Sequence, residues 1–426
     1  MANLLEKSSI LITPTAYSDG KIHSAKPIQS LGGLDASLDF TRGSSATRVN
    51  ADGLIESSQG INTPRINYKD GVGSLLLEPQ STNLITQSEA FDNVYWSKSG
   101  ATVTSGFYAP SVDSPLGSFK LVEDMGNGIH TIDKFATANL GSSEFTLSLI
   151  VKKENRSKIS LSIIPNIPND FSNNATVSFD LETGLAISST RAVSNISNLG
   201  NGWFRVSVTS TQITSSSSTH IQPVINLLNE AGSATYTGDG ASGLYIFGAQ
   251  LEEQSYATSY IPTTGTAQTR TADSASKTGI SSLINSSEGV FYTNIKMPSS
   301  IVQNNWLTIS DGTNQNSIGI VFESNEKTTT RVDVGGATQF YQTHISDYSI
   351  YQKVAISWKL NEFKMFLNGV QIGSTDTGGL VPSFGSLSQL QFAYSANGSN
   401  FTFSECRTVA VFPSLTDEEL TCLTTI

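Results

Sequence analysis

The chain is 426 residues long with a formal charge of −11, from 25 Lys and Arg against 36 Asp and Glu, a balance that argues against a nucleic-acid partner. Only 14% of its residues are charged, well below the roughly one quarter usual in soluble domains, and Ser, Thr, Asn and Gly carry the polarity instead. That composition disfavours long surface helices, favours strands and turns, and leaves room for two or three domains.

Two cysteines, Cys406 and Cys422, both near the C-terminus, exclude a disulfide framework and read as buried small hydrophobes. Glu6 and Lys7 interrupt the N-terminus, and Ile10 to Ile12 is too short for the apolar region of a secretory leader. No apolar run reaches membrane-spanning length, so membrane insertion is not expected.

Residues 1–37 hold one apolar segment, Ser8 to Tyr17, and then the turn Ser18-Asp-Gly-Lys21. A lone strand is not stable by itself, so this segment is either an attachment arm that packs on another chain or a first strand folded onto its own domain. Residues 38–84 read as an extended, arginine-rich connector in which Arg42, Arg48 and Arg65 lie near Asp39, Asp52 or Glu78. Asn50 to Gly53 is a turn signal, and Ser74 to Leu77, stopped by Pro79, suits an edge strand.

The string DFTRGSSATRVNADGLIE (39–56), with PRINY (64–68) and LLLEPQSTNLI (75–85), resembles a signature of bacteriophage fibre and tail-associated virion proteins. There it precedes β-sandwich modules of carbohydrate-binding or laminin-G type. The resemblance implies an N-terminus anchored to other virion proteins, a homotrimer, and modules displayed on the particle surface after synthesis in the host cytoplasm.

From residue 85 to 264 the pattern is all-β. Strands are predicted at 145–151, 158–164, 175–181, 203–209, 220–225 and 242–247, most of them alternating with period two, with tight turns at 182–184 and 200–202. EAFDNVYWSKSGATVTS (89–105), NGWFRVSVT (201–209) and GAQLEEQSYATSYIPT (248–263) resemble strands of a carbohydrate-binding-module jelly roll. Residues 265–278 lack bulky apolar side chains and read as a linker.

Residues 279–426 read as a second sandwich. Asn368-Gly369 supplies a type I′ hairpin turn within 362–372, with Phe363, Met365 and Leu367 on one face and Lys364 and Phe366 on the other. A closing strand at 408–412 leads to a short helix capped by Thr416 and Glu419, with Leu415 stapled to Leu420. This order resembles concanavalin-like, laminin-G-type domains. The fold class is thus all-β: two β-sandwich domains after an extended arm and connector.

The sequence holds no catalytic constellation. His23, His130, His220 and His344 are scattered, no carboxylate pair has glycosidase spacing, and no GxSxG or Cys–His arrangement stands out. No cofactor is expected, save for a structural Ca²⁺ in the oxygen-rich turns around Asp239 and Asp311. Glycan binding would use exposed aromatics, for which Trp96, Tyr108, Trp306, Tyr341 and Tyr348 are the candidates; Trp203 and Trp358 sit in alternating strands and belong to the core. The expectation is a virion protein that binds host-surface glycans without catalysis. The alternatives are a virion glycan-degrading enzyme, or an ancillary module of one, and a decoration protein without a ligand.

Overall fold

A computed structural model of the chain describes all residues except 1, 27–29, 31, 58–59, 115, 138–140, 166–173, 212, 215–219, 299, 302 and 395–401. The architecture is almost wholly antiparallel β, as the alternating pattern predicts. The chain forms two compact units. The first comprises Met1–Ser45, Ser58–Pro79 and Thr271–Ile426; the second comprises Ala46–Ser57 and Gln80–Arg270. The second unit is therefore an insertion within the first. Among the described residues, no helix is long and apolar enough to cross a membrane.

In the first unit a sheet of sixteen strands runs, in hydrogen-bonded order, Ala337–Ile345, Lys327–Val334, Ser317–Glu323, Asn305–Ser310, Gln389–Gln391, Ser274–Thr278, Leu38–Thr41, Lys21–Ser24, Ile10–Ser18, Ser404–Phe412, Glu288–Lys296, Gln352–Lys359, Glu362–Leu367 and Val370–Asp376. Ser74–Leu77 branches from Ser404–Phe412 and pairs in turn with Arg65–Asn67. The sheet turns back on itself, so that Ile309, Ile320 and Phe340 from one half share a core with Phe291, Ile356 and Phe363 from the other. Phe340 and Phe363 stack with ring centroids 5.6 Å apart.

Three sequence expectations are corrected by this sheet. Of the two readings of the N-terminal segment, the attachment arm is corrected and the strand folded onto its own unit is found: Ile10 to Ile12 pairs with Val411 to Val409, and Ile10 and Ile12 are buried in the core. Residues 274–278 are not linker; they lie between Leu38–Thr41 and Gln389–Gln391 and need little apolar surface, because main-chain bonds hold them on both sides. Ser74–Leu77 is not an edge strand but a buried one, paired on both sides. Residues 27–29 and 31 of the expected arm, and 58–59 of the expected connector, lie outside the described residues.

The C-terminal expectations match the structure. Asn368 and Gly369 take φ of 50° and 87° at the predicted hairpin turn. Thr416 Oγ1 accepts from the Glu419 N–H at 3.3 Å and the Glu419 carboxylate accepts from the Thr416 N–H at 3.1 Å, closing the capping box of the helix Asp417–Thr424. Leu420 and Leu423 of this helix, with Leu415 alongside, cover Val290, Tyr292, Ala355, Phe366, Ala410 and Phe412 on one outer face of the sheet. Burial of each such Leu or Phe contributes roughly 1.5–3 kcal/mol. Cys406 is buried and Cys422, against expectation, is exposed on the helix.

The connector arginines are not spread along an extended neck. Arg65 Nη1 donates to Glu78 Oε2 at 2.7 Å and Nη2 to Asp273 Oδ2, while Arg42 Nη1 donates to Asp273 Oδ1 at 3.2 Å. The side chains of Arg42, Arg65 and Asp273 are fully buried. Asp273, far away in sequence, is the partner that spacing could not supply. Arg48 belongs to the second unit, where it pairs with Glu56 across the hairpin of Thr47–Val49 and Ile55–Ser57.

The second unit is a two-layer sandwich. One sheet orders Ala101–Phe107, Ser118–Glu123, Gly243–Glu252, Thr146–Lys153, Trp203–Ser210 and Ala192–Gly200; the other orders Leu185–Thr190, Ala175–Asp180, Lys158–Pro165, His220–Leu228, Thr131–Asp133 and Ser97–Ser99. Leu147, Leu149 and Val208 from the first meet Leu161, Val177 and Ile225 from the second in one core. Arg156 clamps the buried Glu123 through Nε and Nη2, at 2.8 and 2.6 Å.

Candidate functional site

The site lies on the first unit's other outer face, where Thr308, Val321 and Thr329 are buried and Tyr341 is exposed. Strands Asn305–Ser310, Ser317–Glu323, Lys327–Val334 and Ala337–Ile345 turn Leu307, Ile309, Ile318, Ile320, Val332 and Phe340 to the core. Alternation sends the intervening side chains outward. The register aligns these in cross-strand rows: Thr308, Gly319, Arg331 and Tyr341 in one, and Trp306, Val321, Thr329 and Thr343 in the next. Gln391 extends the first row beside Thr308.

Trp306 is half-buried, and its ring lies 4.5 Å from that of Tyr394 at 54°. A Cβ at position 319 would sit 3.4 Å from the indole Cε3 and Cζ3, so glycine there lets the ring lie close against the sheet. Tyr341 is 54% exposed, and its hydroxyl donates to Glu323 Oε1 at 3.3 Å. Arg331 Nε donates to Asp333 Oδ1 and Oδ2 at 2.9 and 2.7 Å. Asp333 is buried and also accepts from Thr338 Oγ1 at 2.8 Å and from Ser317 Oγ at 3.4 Å. Burial works against the Arg331 charge, but the hydrogen bonds and charge of Asp333 outweigh it and hold the guanidinium pKa above its ordinary value. The arrangement brings together two aromatic rings, an exposed tyrosine and a fixed cation, the chemistry that sugar rings and their hydroxyls engage.

Of the five aromatics nominated from sequence, Trp306 and Tyr341 meet on this face. Trp96 is a correction: it is 2% exposed, stacks on Phe91 at 5.3 Å, and donates its indole N–H to the Gln87 carbonyl at 3.0 Å. Its polar sequence neighbours hide a partner that comes from the fold. Tyr348 is a second correction: it is 3% exposed, and its hydroxyl donates to the Lys327 carbonyl at 2.7 Å. Burial pushes its phenol well above the ordinary value. Tyr108 is 70% exposed and belongs to the second unit.

The carboxylates nominated for calcium are engaged in their own turns. Asp239 accepts from Ala241 N, Ser242 N and Ser242 Oγ, and these bonds hold its carboxyl below the usual range. Asp311 accepts from the backbone N–H and the hydroxyl of Thr313, both at 2.7 Å, and from the Asn316 amide at 2.7 Å; burial raises its pKa, and these bonds more than offset that. No group of three or more His, Cys, Asp or Glu side chains converges among the described residues. Sequence reasoning missed Tyr394, Gln391 and Arg331. Only Arg331 left a signal, in the spacing Arg331-x-Asp333 on an alternating strand, which puts both side chains on one face.

No family model and no curated protein matches the chain. Among solved structures it is similar to the CBM40 module of a Ruminococcus gnavus IT-sialidase bound to alpha2,3 sialyllactose, at 16% identity over 33% of this chain and 84% of that one, with a TM-score of 0.30. It is also similar to domains LG4-5 of the mouse laminin alpha1 chain, at 12% identity over 68% and 91%, with a TM-score of 0.21. A Trypanosoma rangeli sialidase aligns at 10% identity over 95% and 67%, with a TM-score of 0.28. At these scores the likeness carries no argument about what the chain does.

Proposed function

We propose that the protein is a glycan-binding component of a bacteriophage virion that acts by adhesion and not by catalysis, and that it works without a cofactor. The observation that carries the binding reading is the grouping of Trp306, Tyr394, Arg331 and Tyr341 on one outer face of the sheet. Its two carboxylates, Glu323 and Asp333, are each committed to neighbouring side chains, which favours binding over acid–base chemistry. The virion reading draws on the fibre-like signature of residues 39–85 alone, and with it come virion protein partners, display on the particle surface, and a homotrimer in which linked weak sites gain avidity.

Two measurements test the two parts. Titration of the full chain with oligosaccharides from a host-type envelope, compared with Trp306→Ala, tests adhesion; the reading requires binding that the variant loses and no reducing ends released over hours. Imaging of intact particles with a C-terminal label tests placement. A protein absent from every particle ends the virion reading and leaves the glycan site standing.

A further inference from the structure

The exposed face poses a question about charge that the aromatic rings do not answer. Arg331 uses only Nε on Asp333; its Nη1 and Nη2 have no protein partner among the described residues, and its side chain is 31% exposed. Asp333 is in turn fixed by Ser317 and Thr338, so the guanidinium is held in one orientation before any ligand arrives. Such preorganisation removes much of the entropic cost of ordering an arginine at the moment of binding. Tyr341 stands directly across the strand pair from Arg331, and the electrostatic reach of Arg331 includes both Tyr341 and Tyr394. In the same cross-strand row, the Gln391 Nε2 is buried without a hydrogen-bond partner. The indole N–H of Trp306 likewise has no partner among the described residues. The groups left over on this face are mostly donors, beside the second carboxylate oxygen of Glu323 and the Thr343 hydroxyl.

We infer that the ligand of this face is an anionic sugar, whose paired acidic oxygens are received by the Nη1/Nη2 fork of Arg331 while a neighbouring ring lies against Trp306. This rests on the glycan-binding reading of the same face and narrows it to one chemical class. Planar guanidinium matches two acceptor oxygens in a bidentate pair, stronger and more directional than a neutral hydrogen bond. The paired oxygens belong either to a carboxylate or to a sulfate ester. The chain's overall charge of −11 opposes long-range steering of an anion, so selectivity here is a contact effect, felt in the lifetime of the complex.

The test titrates the full chain with three probes of matched length: uronate oligosaccharides, their carboxyl-reduced neutral counterparts, and sulfated neutral oligosaccharides. Wild type, Arg331→Met, Arg331→Lys and Trp306→Ala are compared, each first checked for an unchanged far-ultraviolet spectrum and melting temperature. The expected result is that at least one anionic probe binds about tenfold or more tighter than the neutral one. Arg331→Met should bring the anionic probe down to the neutral level, with partial recovery in Arg331→Lys. Preference for uronate over sulfate, or the reverse, assigns the source of the anion. If the neutral sugar binds as well as both anions and Arg331→Met changes nothing, while Trp306→Ala abolishes binding, the inference falls and the glycan reading survives. If no probe binds wild type, both fall together.

Discussion

Two arginine–aspartate pairs in the first unit invite comparison. In the buried cluster, Arg65 spends its terminal nitrogens on Glu78 and Asp273, with Arg42 bound to the same aspartate; the side chains of Arg42, Arg65 and Asp273 are out of water and that of Glu78 is nearly so. On the outer face, Arg331 spends only Nε on Asp333 and keeps its side chain 31% exposed. The residue types are the same, and burial together with the choice of nitrogen decides what each pair does. One pair ties the N-terminal and C-terminal stretches of a discontinuous unit together; the other belongs to the proposed binding face and leaves two donors of its cation unspent.

The comparison breaks most visibly at Asp273. Asp273→Asn leaves two buried guanidinium groups facing one carboxylate, and should cost about 3–5 kcal/mol in urea unfolding, enough to populate partly unfolded protein at ambient temperature. Trp358 and Trp306 sharpen the same contrast for aromatics. Trp358 is 1% exposed and donates to the Ser286 carbonyl at 3.2 Å, so Trp358→Ala should cost about 3–5 kcal/mol. Trp306→Ala should cost less, because Trp306 is only partly buried, yet remove most glycan affinity; calorimetry on both variants checks the pair.

A third arginine–carboxylate pair, in the second unit, sits between these extremes and supplies a pH test. Burial of the Glu123 carboxyl pulls its pKa up, but hydrogen bonds from Arg156, Tyr236 and the Asp239 backbone outweigh burial and leave it below its ordinary value of 4.5. A depressed carboxylate stabilises the fold fully above its unfolded pKa, and the contribution disappears as pH falls through the folded value. Melting temperature should therefore drop as pH is lowered below about 4.5. Glu123→Gln should flatten that acid limb and cost about 2 kcal/mol at pH 7. An acid limb unchanged in the variant would assign the loss to other carboxylates.

Much of the scaffold was legible in the sequence because it is written locally. The hairpin at Asn368-Gly369, the Thr416–Glu419 cap and the burial of Trp203 and Trp358 follow from spacing within a few residues. What was not legible is non-local. The insertion of one unit into the other cannot be read from a pattern that treats domains as contiguous, and it is this insertion that turns an apparent neck and linker into paired strands. Asp273 looked like one more polar linker residue because its partner Arg65 comes from a strand far away in sequence, whereas Trp96, nominated as an exposed aromatic, packs on nearby Phe91 in a cluster that the fold closes over. The candidate site was half visible: Trp306 and Tyr341 stood out as candidate exposed aromatics, while Tyr394 follows a strand of three residues, Gln389–Gln391, too short to announce itself.

The smallest effect is expected at Asp333, and it is the most discriminating. In Asp333→Asn the amide oxygen can still accept from Arg331 Nε and from Thr338, so the geometry of the face should persist. Arg331 is partly solvated and keeps water at its terminal nitrogens, so losing the facing charge should cost only about 1 kcal/mol or less, against the several expected at Asp273. The guanidinium would then face an anionic ligand with less of its charge neutralised from behind, so affinity for an anionic sugar should hold or rise slightly while neutral binding stays fixed. Urea unfolding and titration of one variant read both quantities. If Asp333→Asn instead destabilised the protein as much as Asp273→Asn, the open pair would be part of the scaffold like the buried one, and the outward fork of Arg331 would lose its meaning as a binding group.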